Sequence, residues 1–582
     1  MVMNSFFKKI TDDNYLKILL LVPILLVIIN KDWIFSNAFV GFADEWIYTG
    51  YFVNFQQLYS NFGTDFHGTP LYFISRLSWI LPGYLLHSLF SPVIANYILH
   101  LVFLYVAIIS LYLILKIHFD EKTALFISIL FCSYSHILWQ MGSNYVTPAV
   151  VAYSLLTMLM VTLSAKETHW KIYSVFTGIF LGCMIITNMF SIVFIPFFCI
   201  YFFSISDPNQ KKFILLTILY VIAGVCAISI FFATLYYLLI GDVFYFIPQI
   251  LEIFNLSHGP IIAYRPIQDW ITGASWLIFP GIVLMGSLIY IAFKWKFFFS
   301  PSERILVIFQ INYIFLSSIF IIGEILGLPF SQLPYYAIYL VPFLFLALGS
   351  MISPILKRIT VNEFFIIISA VIIFLPFMLL KTISSSIFSI LDFNLLIISL
   401  TIPFLLLIIT SSFFDQISKK KMLTCLITFC LLFGCLNSGL YSQYITQGFD
   451  SNENAYLAVM DSGSAIKEVF PTEPVKFWYN WSEVHEGNNY GMIFHSINSE
   501  YLAVYSYIST KFPYIDKNDV LWQIHNYGPE NIVVISTDEN GFTIAENSLN
   551  DPRLEVDLVE TKKIVRGNIQ FYLYFITVKE NI

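Results

Sequence analysis

The sequence predicts an all-α transmembrane bundle of about thirteen helices, N-terminus inside, followed by a C-terminal extracytoplasmic α/β domain. Three observations predict it. Hydrophobic residues fill 58% of the 582 positions and charged residues only 12%, with a mean hydropathy of +0.77; a soluble domain carries about twice that charge. Apolar runs long enough to cross hydrocarbon recur almost without pause up to residue 440. From Tyr441 onward the composition turns polar and dense in turn residues.

The apolar runs read at 16–36, 92–115, 122–140, 146–164, 172–188, 190–205, 213–240, 271–293, 304–323, 335–353, 362–380, 393–414 and 422–440. Basic residues alternate between their connections. Lys8, Lys9, Lys116, Lys122, Lys166, Lys171, Lys211, Lys212, Lys294, Lys296, Arg304, Lys357, Arg358, Lys419, Lys420 and Lys421 fall on one side. Only Lys31, Arg76, Arg265 and Lys381 fall on the other. The positive-inside rule then puts the N-terminus inside, and an odd number of spans puts the C-terminal segment outside. No small-x-small cleavage site follows the first run, so it reads as a signal anchor.

The chain divides into a membrane domain, 1–440, and an outer α/β domain, 441–582. In the outer domain Val475–Tyr479 and Ile532–Ser536 read as short strands, and Leu554–Val559 with Gln570–Val578 as a hairpin around Arg566-Gly567-Asn568. It holds 9 basic against 19 acidic residues, a net charge of −10, while 21 basic and 18 acidic residues leave the membrane part at +3. An acidic outer face argues against nucleic acid as a partner. All seven cysteines lie in apolar spans and read as small hydrophobes, so the outer domain has no disulfide framework. No Cys/His spacing suggests a metal site, and neither a phosphate-cradling Gly-rich loop nor an internal repeat is present.

Candidate chemistry gathers on the outer side. The first outer loop, 37–91, carries Asp44-Glu45 ahead of an aromatic stretch in which Ile47, Tyr51, Phe55, Leu58 and Tyr59 recur at helical spacing. This predicts a helix lying in the membrane interface, with the carboxylates at its positive N-terminal end. The same loop holds Asp65, His67 and Arg76, and Pro70 is expected to start a second interfacial helix. The loop 241–270 adds Asp242, Glu252, His258, Arg265 and Asp269; Glu324 is assigned to the next outer loop, and Tyr335-Tyr336 opens the following span. Plainer readings stand beside these: Arg265 snorkelling to headgroups, His67 and His258 as ordinary interfacial histidines, Tyr335 and Tyr336 as an aromatic belt, and Arg76 paired with Asp65 or Glu45. The Asp44-Glu45 pair stands above its plain reading, a capped and solvated helix start, because charge at a bilayer edge is costly.

Asp44-Glu45 with its following helix, Thr69-Pro70-Leu71-Tyr72, and Tyr335-Tyr336 leading to Leu340-Val341-Pro342-Phe343 resemble motifs of polytopic glycosyltransferases of the GT-C type. The layout is similar to that of the protein O-mannosyltransferases and the lipid A aminoarabinose transferase. One departure is Thr187-Asn188, where many members carry a Lys. The resemblance implies a sugar donor on a polyprenyl phosphate, inverting transfer outside the cytoplasm, and Asp44 as the base, with Glu45 orienting the acceptor. A leaving phosphate needs a cation or fixed donors, for which Arg265 comes first, then Arg76, His258 and Tyr336. It implies a lipid, glycan or protein acceptor, no required cofactor, no metal site, and a multi-pass place in the cell (plasma or inner) membrane. The rival readings are a polymerase or ligase of lipid-linked polysaccharide and, further off, a transporter, which would carry broken or charged midspan positions in matching halves.

Overall fold

A computed structural model describes residues 13–35, 43–62, 73–206, 211–251, 275–295, 300, 303–326, 334–378, 401, 426–437, 451–471, 475–479, 493–494, 497, 510–512 and 517–581. The membrane part is built from helices α1 (Asn14–Ile29), α2 (Ala43–Phe62), α3 (Leu77–Leu89), α4 (Pro92–His118), α5 (Glu121–Cys132), α6 (Ser135–Met141), α7 (Thr147–Lys166), α8 (Trp170–Thr187) and α9 (Ile195–Ile205). It continues with α10 (Lys211–Ile240), α11 (Ile278–Lys294), α12 (Arg304–Ile325), α13 (Val341–Leu356), α14 (Val361–Met378) and α15 (Leu426–Asn437). Among the described residues six helices are long and apolar enough to cross a membrane, seven if the bent pair α5–α6 is one span, and five shorter apolar helices accompany them. Of the predicted span 393–414 only residue 401 is among the described residues.

Local chemistry sets the helix ends. Asp13 caps α1, accepting from the backbone N–H of Tyr15 and Leu16 at 3.0 and 3.1 Å. Asp120 caps α5 through Thr123, and Pro92 sits in the first turn of α4, where a missing N–H costs nothing. Asp13 also accepts from Tyr112 and Lys116, both at 2.7 Å, and Lys116 reaches Glu121 at 2.6 Å, so one carboxylate ties α1 to α4 at one end of the bundle. The bend of 64° between α5 and α6 frees backbone groups that a side chain then satisfies. Asn437 of α15 accepts from the Ser135 backbone N–H and hydroxyl and donates to the Ser133 carbonyl.

Helices α8 and α10 touch backbone to backbone. A Cβ on Gly178 would meet the Val221 carbonyl at 2.0 Å, and one on Gly224 the Val175 carbonyl at 2.1 Å. Small residues of this kind let helices approach in a membrane. The remaining faces of α10 are apolar and exposed, as at Leu215, Leu219, Ile222 and Ile230, which suits contact with lipid.

The C-terminal part begins with α16 (Asn452–Val469) and forms a five-stranded sheet in the order β2 (Thr510–Phe512), β1 (Val475–Tyr479), β3 (Glu530–Ser536), β5 (Ile569–Glu580) and β4 (Leu554–Arg566). β1 pairs in parallel with β2 and β3, whereas β5 runs antiparallel to β3 and β4. Alternation along β3 and β5 separates two cores. Val533, Ile535, Phe571 and Leu573 join the large core through α16, while Ile532, Val534, Tyr574 and Ile576 face the side of α17 (Lys517–Tyr527) and α18 (Gly541–Ser548). The predicted strands and hairpin are present, and the hairpin turns through Gly567 at φ 59°, a conformation suited to glycine.

Within α2 every side chain from Glu45 to Phe52 is buried, because α3, the corner after α6 and α16 cover that stretch on several sides. The helix start expected at Pro70 lies outside the described residues; α3 begins at Leu77, after a turn at 73–75. Glu324 belongs to the last turn of α12 and is buried, so it is no loop residue.

Candidate active site

Helix α2 carries the predicted carboxylates in its first turn, where unpaired backbone N–H groups and the helix dipole favour negative charge. The two face different surroundings. Asp44 is partly exposed, whereas Glu45 is fully buried and accepts the Ser143 hydroxyl. Ser143 also accepts from the Tyr145 backbone N–H at 2.9 Å, so its position is set by its own turn. One helical turn past Glu45, the Thr49 hydroxyl donates to the Glu45 carbonyl at 2.8 Å and accepts from the Asn144 side-chain amide at 2.9 Å.

Asn144 extends the network into the bundle. Its carbonyl accepts the Trp79 indole N–H of α3 at 2.9 Å, and its side-chain oxygen lies 3.0 Å from His100 Nε2 of α4. His100 Nδ1 stands 2.9 Å from the Ile34 carbonyl; a neutral imidazole has one N–H, so the ring donates to one of these two oxygens. Buried polar groups are tolerated when they are joined in this way. The corner 143–145 therefore ties α2, α3 and α4 to the start of α7.

On a neighbouring face of α2, Tyr48 lies one turn beyond Asp44. Arg76, almost fully buried at the start of α3, donates to the Tyr48 hydroxyl, with its guanidinium carbon 5.8 Å from the ring centroid. An aromatic wall continues from there. Tyr48 meets Tyr145 edge-on at 6.0 Å, Tyr145 meets Tyr335 at 5.3 Å, and Tyr335 meets Tyr336 at 4.8 Å. Tyr336 then touches Phe190 at 5.5 Å, and Tyr339 accepts from Asn188 at 2.9 Å.

The structure thus places Asp44 and Glu45 on the same helix as Tyr48, brings Arg76 to Tyr48, and links Tyr336 to that residue through the rings of Tyr145 and Tyr335. Arg76 meets Tyr48 within a turn of the carboxylates. His258 and Arg265, like Asp65, His67 and Glu252, lie outside the described residues. Asn188, at the departure from the Lys pattern, holds Tyr339 instead. Ser143, Asn144 and His100 carry no motif that sequence reading singles out. The run Ser143-Asn144-Tyr145, in the short connection between the apolar runs 122–140 and 146–164, was the available signal, since polar side chains beside a membrane span need partners.

No group of three or more His, Cys, Asp or Glu among the described residues could hold a metal ion. The described cysteines are free; Cys132, Cys183, Cys430 and Cys435 are buried, Cys199 and Cys226 exposed on their helices, and Cys425 lies outside the described residues. The arrangement offers a partly exposed carboxylate one helical turn from a tyrosine that a buried cation holds, beside aromatic faces.

Residues 77–237 match the family model described as dolichyl-phosphate-mannose-protein mannosyltransferase, a segment running from the start of α3 almost to the end of α10. Among solved structures the chain is similar to ArnT from Cupriavidus metallidurans in the apo state, at 12% identity over 99% of this chain and 98% of that one, TM-score 0.44. It is also similar to ArnT from that organism bound to undecaprenyl phosphate, at 12% identity over 96% and 97%, TM-score 0.47. A third is the Archaeoglobus fulgidus oligosaccharyltransferase tethered with an acceptor peptide, at 12% identity over 96% of this chain and 70% of that one, TM-score 0.39. No curated protein matches the sequence. The family match bears out the resemblance to a membrane glycosyltransferase of the GT-C type, carried by an integral membrane protein.

Proposed function

We propose that this protein moves a sugar from a polyprenyl-phosphate-linked donor to an acceptor hydroxyl on the extracytoplasmic face, with inversion, using Asp44 as general base. The observation that supports the reading is that Arg76, a buried cation, donates to Tyr48, which lies one helical turn beyond Asp44 on α2. A transfer of this kind needs a base and a cation a few ångströms apart, one at the attacking oxygen and one at the leaving phosphate.

The step balances in a simple way. The acceptor oxygen attacks the anomeric carbon and gives its proton to Asp44, which is the more accessible of the two carboxylates. The bond from the anomeric carbon to the phosphate oxygen breaks, and its electron pair leaves with the phosphate. Arg76 offers a planar fork of N–H donors suited to two phosphate oxygens. Arg265, His258 and Tyr336 are the further donor-phosphate contacts of the proposal. Glu45, fixed by Ser143, orients the acceptor or its neighbour Asp44. The Tyr48–Tyr145–Tyr335–Tyr336 wall suits the flat faces of a sugar or an isoprenoid.

Reconstitution tests the donor class. Purified protein in liposomes should transfer radiolabelled sugar from a polyprenyl monophosphate carrier and ignore the same sugar on a nucleotide. Direct use of the nucleotide sugar would overturn the mechanism.

A further inference from the structure

Helix α16 is fastened in two directions. Along one side, Asp461 and Glu468 pair with Arg566 and Lys562 of β4, each at 2.6 Å, which fixes the helix to its sheet. Its first turn is held by the membrane part instead. Glu453 pairs with Lys31 at 2.7 Å and accepts the Tyr97 hydroxyl of α4 at 3.0 Å. Asp32 accepts the Ser451 hydroxyl at 3.0 Å and the Glu453 backbone N–H at 3.4 Å, adding a negative charge at the N-terminus of α16.

One turn further on, Tyr456 is fully buried. It meets Phe35 edge-on at 5.2 Å and stacks on Trp46 at 5.3 Å, with planes 8° apart. Trp46, also fully buried, directly follows Asp44 and Glu45. The first turn of a helix has no preceding turn to receive its N–H groups, so its order depends on what packs against it. For α2 that packing comes from Ser143 on one side and from the C-terminal domain on another.

We propose that Tyr456 is a positioning residue of the carboxylate site. Clamped through Asp32, Lys31 and Tyr97, α16 presses the Tyr456 ring on Trp46 and so fixes where Asp44 stands. The C-terminal domain thereby completes the site without touching the reacting atoms. The inference rests on the function proposed above, because it assigns Tyr456 to that same site.

Hydrogen–deuterium exchange on the full chain in nanodiscs provides the test. Tyr456→Ala should raise exchange across residues 43–51 while strands β3, β4 and β5 stay protected; Tyr456→Phe, which keeps the ring, should restore the pattern. With the polyprenyl-linked sugars of the host membrane as donor, Tyr456→Ala should lower kcat by about tenfold to a hundredfold and leave the donor KM within about twofold, since displacement of a reacting group by about 1 Å has that scale of effect. Unchanged exchange at 43–51 in Tyr456→Ala, or equal damage from Tyr456→Phe, would overturn the proposal. If Tyr456→Ala does not accumulate, Glu453→Gln removes the Lys31 pair and should raise exchange at the same residues; no rise there overturns it equally. Retained turnover in Asp44→Asn would sink the base assignment while leaving the exchange result standing, so the two failures are distinguishable.

Discussion

Asn144 donates its side-chain amide to the hydroxyl of Thr49 at 2.9 Å, one turn beyond the buried carboxylate of Glu45. The contact joins α2 to a corner that follows the broken span α5–α6, and through the same residue to Trp79 and His100. A helix whose first turn must hold two carboxylates is braced by neutral donors.

Asn144→Ala should therefore destabilise the protein. It leaves the Thr49 hydroxyl short of a donor in a buried site, at a cost of about 1–3 kcal/mol. Thermal unfolding in detergent, followed by intrinsic fluorescence, should show a lower midpoint. A midpoint equal to that of the parent would mean the network is reorganised without loss.

Asp44→Asn keeps the size of the side chain and removes its basic oxygen. Transfer should fall by at least about a hundredfold, the lower end of what a general base contributes. Glu45→Gln should cost less, because the amide oxygen can still accept from Ser143. Turnover near normal in Asp44→Asn would place the base elsewhere.

Arg76→Lys retains charge but loses the two-pronged geometry, and Arg76→Ala loses both. We expect affinity for undecaprenyl phosphate, used as the probe, to weaken for Lys and to weaken much further for Ala. Arg265→Lys and Arg265→Ala should follow the same order if that loop joins the site. Unchanged affinity in Arg76→Ala would leave Arg265 as the residue to carry the phosphate.

Burial pushes the Asp32 carboxyl above its ordinary range, against the opposing hydrogen bonds from Ser451 and the Glu453 backbone. A carboxyl raised in the folded state contributes stability that is full below its unfolded value and is lost as pH rises through its folded value. Relative to Asp32→Asn, the parent should accordingly lose stability as pH climbs from about 4 towards neutrality. Unfolding midpoints of the two proteins that run parallel over this range would contradict the assignment.

Topology is open to direct labelling. A cysteine introduced within 445–575 should react with a membrane-impermeant maleimide in intact cells, and one at Lys419–Lys421 should not. The reverse pattern would turn the bundle over and take the carboxylates off the outer face.

The sequence by itself determined the elements with local signatures. Long apolar runs marked the helices, short apolar runs bounded by turn residues marked β1 and β3, and Arg566-Gly567-Asn568 marked the hairpin turn, because burial leaves apolar runs in the chain and turns leave their own residues. Asp44-Glu45 was legible too, since a charge pair beside an aromatic helix is costly at a bilayer edge. The tertiary structure alone decided what surrounds that pair. Ser143 lies 98 residues from Glu45 and Arg76 lies 28 from Tyr48, while Tyr456 belongs to another domain from Trp46. Contacts at such separations leave no spacing to read, because they depend on where whole helices pack. The same reason hid what covers α2: its sequence carries the period of an amphipathic helix, but the burial of Glu45 to Phe52 comes from three segments distant in the chain.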